Sequence, residues 1–135
     1  MALKTTVKDM VTAANAEIET IPVDQAQAML EDENVQFVDI RDVRELEREG
    51  MIPGALHAPR GMLEFWIDPT SPYHKEIFAS GKRFVFYCAS AWRSALATKA
   101  LQDMGLQPVA HLDGGFGNWK KSGGPVAEKP VKKKD

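Results

Sequence analysis

Followed for its apolar and polar positions, the chain resolves into strand-like and helix-like runs in alternation. "VQFVDI" (35–40), "RFVFY" (83–87) and "PVAHL" (108–112) are compact runs rich in β-branched and aromatic residues, the signature of strands buried on both faces. Ile21 marks a shorter strand, and "MIPGALHAP" (51–59) reads as a turn followed by a short strand. At the N-terminus Leu3, Val7, Met10, Val11, Ala14 and Ile18 recur at helical spacing, with Lys4, Lys8, Asp9 and Glu17 on the polar side. Asp24 is placed to cap a helix carrying Ala26, Ala28, Met29 and Leu30. "RDVRELEREG" (41–50) is a short charged helix that Gly50 ends, and "RGMLEFW" (60–66) starts another. "IDPTSPYHKEIFASGK" (67–82) is a loop around a short helix. "SALATKALQDMG" (94–105) is a helix with Leu96, Ala97, Ala100, Leu101 and Met104 on one side and Gly105 as its stop. In "DGGFGNWKKSGG" (113–124), Gly114, Gly115 and Gly117 serve a tight turn into a last short helix, with Trp119 as core packing.

Strands alternating with helices predict an α/β fold: a doubly wound, mainly parallel sheet flanked by helices on both faces. Sites in such sheets form beyond the C-terminal ends of strands, where the strand order reverses. Three segments are expected there: residues 39–42, 88–93 and 113–119. The 135 residues suit one domain, expected over 20–126. An amphipathic helical extension (1–19) precedes it and a basic flexible tail (127–135) follows. The apolar stripe of the extension packs on the protein's own body or, alternatively, forms a homodimer contact.

Charge and composition narrow the field. A net charge of −2 gives no general case for nucleic acid. No run approaches the roughly 20 apolar residues of a membrane span, and the first residues lack the apolar core of a signal peptide. The expectation is a soluble cytoplasmic protein with no membrane association. One cysteine forms no intramolecular disulfide, which fits a reducing compartment. His57, His74 and His111 follow no metal-ligand spacing, so no metal is expected.

That cysteine, Cys88, stands at the end of a strand in "FVFYCASAWRSALATKAL" (84–101), and a helix follows. Backbone N–H groups of the intervening loop turn inward as a nest, the helix start adds partial positive charge, and Arg93 adds a cation. Each stabilises an anion, so the thiolate of Cys88 is favoured and an anionic substrate could be held. The small residues Ala89, Ser90 and Ala91 let the backbone curl. Trp92 stands inside this loop as one wall of a pocket mouth. The competing reading is that Cys88 is inert buried filler. Asp39 and Arg41 read as braces at a strand end, with donor contact as the alternative. Arg60, after Pro59, reaches a donor anion or is a surface charge.

Cys-x-x-x-x-Arg followed by Ser94, between strand and helix, resembles the active-site loop of rhodanese-domain sulfurtransferases. "FVDIRDVRELEREGMIPGALHAP" resembles that family's Asp-x-Arg, Glu, Gly-His-Ile-Pro-Gly-Ala stretch, and "HLDGGFGNWKKSGGPV" its closing Gly-Gly-x-x-x-Trp. The motifs come in the family's order, with Met51 where histidine is usual. The resemblance implies that Cys88 thiolate takes the outer sulfur of a donor such as thiosulfate or a persulfide. The resulting Cys88 persulfide passes it to cyanide or a thiol, with no cofactor. N–H groups of Ala89, Ser90, Ala91, Trp92 and Arg93 would cradle the sulfur, with Asp39, Arg41, Ser94 and Arg60 in support. A sulfur-relay protein is a further expected partner. The alternatives are a sulfur carrier or redox-sensing module without turnover, an arsenate reductase, and a phosphatase of the cell-cycle dual-specificity type. That phosphatase's loop is one residue longer than the four residues between Cys88 and Arg93.

Overall fold

The computed structural model describes residues 2–130. Five strands form one wholly parallel sheet in the order β1-β5-β4-β2-β3. They are β1 (Glu19–Ile21), β2 (Val35–Asp39), β3 (Leu56–His57), β4 (Arg83–Tyr87) and β5 (Val109–Leu112). The helices are α1 (Val7–Asn15), α2 (Val23–Ala28), α3 (Val43–Glu49), α4 (Leu63–Ile67), α5 (Trp92–Asp103) and α6 (Gly115–Lys121), with 3-10 turns at Arg60–Met62 and Glu76–Ala79. No helix among the described residues is long and apolar enough to cross a membrane.

The strand sequences explain the layering. Side chains alternate across the sheet, so a strand covered on both faces is apolar at most positions, and a polar residue buried there needs partners. On one face Val38, Ile40, Phe84, Phe86 and Cys88 pack with Leu63 and Ile67 of α4 and Ala97 and Leu101 of α5. On the other, Phe37, Val85, Tyr87, Ala110 and Leu112 pack with Ala26 of α2 and Phe116 and Trp119 of α6. Phe86 is fully buried, and truncating it to Ala would cost about 3–5 kcal/mol. The Trp119 and Phe37 rings meet in a T-shaped contact with centroids 5.9 Å apart, and Trp119 donates its indole N–H to the Pro125 carbonyl at 2.7 Å. Met51, at the histidine position, is buried and pairs its backbone with Ala127 in an antiparallel bridge.

Several expectations are corrected. Asp24 is not the cap of α2: Pro22 is, and it makes no side-chain cap bond, leaving Asp24 as an acidic residue in the first turn. Ala28 faces solvent, while Val23, Met29 and Leu30 lean on the core. Helix α5 begins two residues early, at Trp92, because the chain reverses at Ala91 in the left-handed region (φ 76°). It is also not one-sided. Ser94, Ala95, Ala97, Thr98 and Leu101 are all buried, since the sheet lies on one flank and α1 on another, while Met104 is exposed at its end. The stripe on α1 is divided in the same way. Val11 and Ala14 pack on Ala95, and Leu3, Val7 and Met10 remain exposed.

Candidate active site

Strand order reverses between β2 and β4, and the C-terminal ends of β2, β4 and β5 meet there. Cys88 directly follows β4 and is fully buried, beneath a loop in which Ser90, Trp92 and Arg93 are exposed. Its sulfur lies at the N-terminus of α5. That helix has Ala91 as its N-cap residue, and Ala91 has no side chain able to accept a bond. The third N–H of the helix, which a capping Ser or Asp would ordinarily hold, belongs to Ser94 and donates to Cys88 Sγ at 3.4 Å. The cysteine sulfur therefore occupies the place of the missing cap. Partial positive charge at the start of a 12-residue helix converges on it. The Ser94 hydroxyl lies 3.6 Å from the same sulfur. Ala91, the one non-glycine residue at positive φ among those described, carries a strain of about 1 kcal/mol to make this turn.

The loop is held from outside by α6. Phe116 N–H donates to Cys88 O at 2.8 Å and Gly117 N–H to Ala89 O at 3.1 Å. The approach is close enough that a Cβ on Gly115 would sit 2.6 Å from Cys88 O and 2.8 Å from the Ala89 carbonyl. Gly115 is thus required for more than its turn.

Arg93 is less available than its place in the motif suggested. Both its terminal nitrogens bond Glu45 of α3, at 2.8 and 3.0 Å. Glu45 holds the Arg93 guanidinium above its usual value, with a smaller contribution from Cys88, and Arg93 in turn holds the Glu45 carboxyl below the usual range. Glu45 is itself fixed by a capping box with Asp42 at the start of α3. Trp92 stands in the first turn of α5, 49 % exposed.

Asp39 and Arg41 face away from the sulfur. Arg41 is fully buried, forks onto both oxygens of Asp39 (Nε 3.0 Å, Nη2 2.7 Å), reaches Glu49 at 3.2 Å, and bonds the Gly50 carbonyl at 2.7 Å. Its guanidinium lies 4.4 Å above the Phe116 ring. Burial alone would lower the guanidinium, but the bonds and charge of Asp39 outweigh it and hold it above its ordinary value. This network ties β2 to the end of α3 and to α6. It steadies the helix that steadies the cysteine loop. Tyr87 joins it by accepting the Ile52 N–H at 3.1 Å, and burial pushes its phenol up from its ordinary value. Arg60 pairs with Glu64 one turn away, at 2.8 Å.

The three histidines are engaged in separate places. His57 Nε2 meets the Arg41 carbonyl and His74 Nδ1 the Trp66 carbonyl, while His111 Nδ1 lies 2.9 Å from the Ser94 hydroxyl. Among the described residues no three His, Cys, Asp or Glu side chains gather as a metal site would require. Sequence reasoning missed Glu45, Tyr87 and His111, together with Asn15 and Thr20, which meet His111. Only the strand periodicity carried a signal for His111: it places the ring on the cysteine's face of the sheet.

Fold and loop together define a class, an α/β protein with a cysteine at a helix N-terminus at the strand-order reversal. Residues 22–122 match the model of the rhodanese-like domain, and the chain belongs to that family. Rhodanese-like domain-containing protein 17 of Arabidopsis thaliana is 31% identical over 115 residues, covering 79% of this chain and 71% of that protein. A structure from Rhodopseudomonas palustris, described as a protein of unknown function and possible tyrosine phosphatase, is 53% identical with a TM-score of 0.91, covering 94% of this chain and 98% of that one. The homodimeric polysulfide-sulfur transferase of Wolinella succinogenes is 28% identical with a TM-score of 0.68, covering 90% and 87%. The family carries a sulfurtransferase-type fold.

Proposed function

We propose that this protein is a sulfurtransferase that carries sulfane sulfur as a persulfide on Cys88. The observation that bears most weight is the sulfur of Cys88 standing in for the cap of α5, where helix-end N–H groups favour an anionic sulfur before and after loading. In the first step Cys88 thiolate attacks the outer sulfur of a donor R–S–S⁻. A new S–S bond forms, the old one breaks, and its electron pair leaves with R–S⁻. In the second step an acceptor thiolate or cyanide takes that outer sulfur, and the bonding pair returns to Cys88 as thiolate. No electrons are gained or lost overall, and the two half-reactions predict ping-pong kinetics.

The preferred donor follows from charge. Arg93 is already matched by Glu45, and Trp92 gives the exposed start of the helix an apolar side chain. A doubly charged donor such as thiosulfate finds little unpaired positive charge here, which favours a thiol persulfide or polysulfide.

The description of the Rhodopseudomonas palustris neighbour favours a second reading, a cysteine phosphatase. A phosphoryl group needs a wider loop and both nitrogens of the arginine fork. Four residues separate Cys88 from Arg93, and Glu45 occupies the fork. Intact mass after incubation with a thiol persulfide, then with cyanide, tests the proposal on wild type and Cys88→Ser. The expected result is one sulfur gained, removed by cyanide, and absent in the variant. No gain from any sulfur donor, with turnover of an aryl phosphate, would put the phosphatase in its place. A higher kcat/KM for thiosulfate than for the persulfide would refute the donor preference alone.

A further inference from the structure

Behind the cysteine, on the side away from the loop, lies a continuous line of hydrogen-bonding groups that sulfur transfer as described above does not use. Cys88 Sγ is 3.6 Å from Ser94 Oγ, which is 2.9 Å from His111 Nδ1. His111 Nε2 is 3.0 Å from Asn15 Oδ1 and 3.1 Å from Thr20 Oγ1. Ser94 and His111 are buried, whereas Asn15 and Thr20 lie at the surface. The line therefore runs from the sulfur, under α5 and through β5, to solvent at the end of α1. A histidine here is costly unless satisfied, and both ring nitrogens have partners.

We infer that Ser94 and His111 form a proton relay that couples ionisation of Cys88 to a switch of the His111 tautomer, with Asn15 and Thr20 as its outlet. The inference deepens the reading of Cys88 as the sulfur carrier and rests on one part of it, that the Cys88 thiol ionises. With the thiol present, S–H donates to Ser94 Oγ, Ser94 O–H donates to Nδ1, and Nε2–H donates to Asn15 Oδ1. On ionisation the sulfur's proton moves to Ser94 and the Ser94 proton to Nδ1, and the Nε2 proton leaves to solvent. Nδ1–H then supports Ser94, Ser94 O–H supports the thiolate, and Nε2 accepts from Thr20. One proton leaves the thiol, one reaches solvent, and the imidazole stays neutral throughout. Burial suits this, holding His111 down at about 4 so that it is neutral at working pH, with Asp113 opposing weakly.

Few other charges face the relay. Arg93, at the start of α5, is paired with Glu45. Lys99 of α5 pairs with Glu17 beyond α1 and with Asp103, Glu19 of β1 pairs with Arg83 of β4, and Asp113 follows β5. His111 acts through Ser94 and is a positioning residue. The relay also gives the N-terminal helix a part in the chemistry, since Asn15 is its last residue.

The test is the 15N spectrum of the His111 ring in the wild-type protein across pH, beside the rate of Cys88 alkylation by iodoacetamide. The expected result is a change from Nε2–H to Nδ1–H over the pH range in which alkylation accelerates. A single tautomer across that range overturns the relay. His111→Phe should lower alkylation at pH 7 by about fivefold and move the profile to higher pH, with no further loss in Ser94→Ala/His111→Phe beyond Ser94→Ala. An unmoved profile in the folded variant overturns it also. Neither readout requires sulfur transfer. A wild-type protein that shows the switch but takes up no sulfur would refute the sulfurtransferase reading and leave the relay standing.

Discussion

Replacing Gly115 by Ala isolates the contact that locks the cysteine loop. At φ +65° an L residue costs about 1–2 kcal/mol. The new methyl would also sit 2.6 Å from Cys88 O and 2.8 Å from the Ala89 carbonyl, all backbone atoms that no rotamer can move aside. Relieving that overlap shifts α6 or the loop, at about 1–3 kcal/mol. Gly54 supplies the control: its φ of +77° is similar, and nothing lies within 4 Å of an added Cβ. Gly54→Ala therefore reports the backbone conformation alone, and the excess in Gly115→Ala reports the close approach, expected at about 2 kcal/mol. For a chain of this size that difference is about 8 °C in Tm. Thermal melts of both variants give it, and the alkylation rate of Cys88 shows whether the loop has moved. Equal melting temperatures would refute the claim that α6 is packed hard against the cysteine loop.

Three further outcomes are expected. Ala91→Gly relieves the left-handed strain and should raise stability by about 1 kcal/mol in urea melts; a loss would mean that the methyl packs usefully. Glu45→Gln frees the Arg93 fork and should raise kcat/KM for thiosulfate about threefold or more, while the value for a thiol persulfide changes little. His111, held at about 4 against an ordinary value near 6.5, binds its proton more readily in the unfolded chain. Its contribution is therefore complete above pH 6.5 and lost as pH falls toward 4. Wild type should lose about 2 kcal/mol more than His111→Phe between pH 7 and 4.5 in urea melts, and parallel losses would count against a buried neutral ring.

The layers of the fold were legible because the three inner strands are apolar on both faces, with Gln36, Asp39, Arg83 and His111 as the exceptions, a pattern that two-sided burial rewards. The place of Cys88 between strand and helix was legible too, although that place alone fits buried filler equally and only the three motifs in order single it out. The rest depends on tertiary position. Asp24 has the chemistry of a cap, yet the chain enters α2 at Pro22, where the strand before it fixes the direction. Arg93 looked like a free cation because its partner, Glu45, comes from a different helix. Asp39 and Arg41 read as braces at a strand end, but their spacing does not report that they fork onto each other beneath Phe116. His111, like His57 and His74, follows no metal-ligand spacing, and its hydrogen-bonding role has no signature in the local sequence. Its partners stand 17, 91 and 96 residues away in sequence, and no local pattern reports on them.

The bonds from α6 to the carbonyls of Cys88 and Ala89 have an electrostatic corollary. In a trans peptide the C=O and the following N–H point in opposite directions. Drawing those two oxygens toward α6 therefore turns the N–H groups of Ala89 and Ser90 away from it. The dipoles of the loop are set by a segment more than twenty residues downstream, and the loop sequence does not contain that instruction. Transplanting 88–93 onto another α/β scaffold would carry over the cysteine without the orientation of its amides. The Gly-Gly turn and the cysteine loop are in this sense a single piece of backbone geometry written in two places.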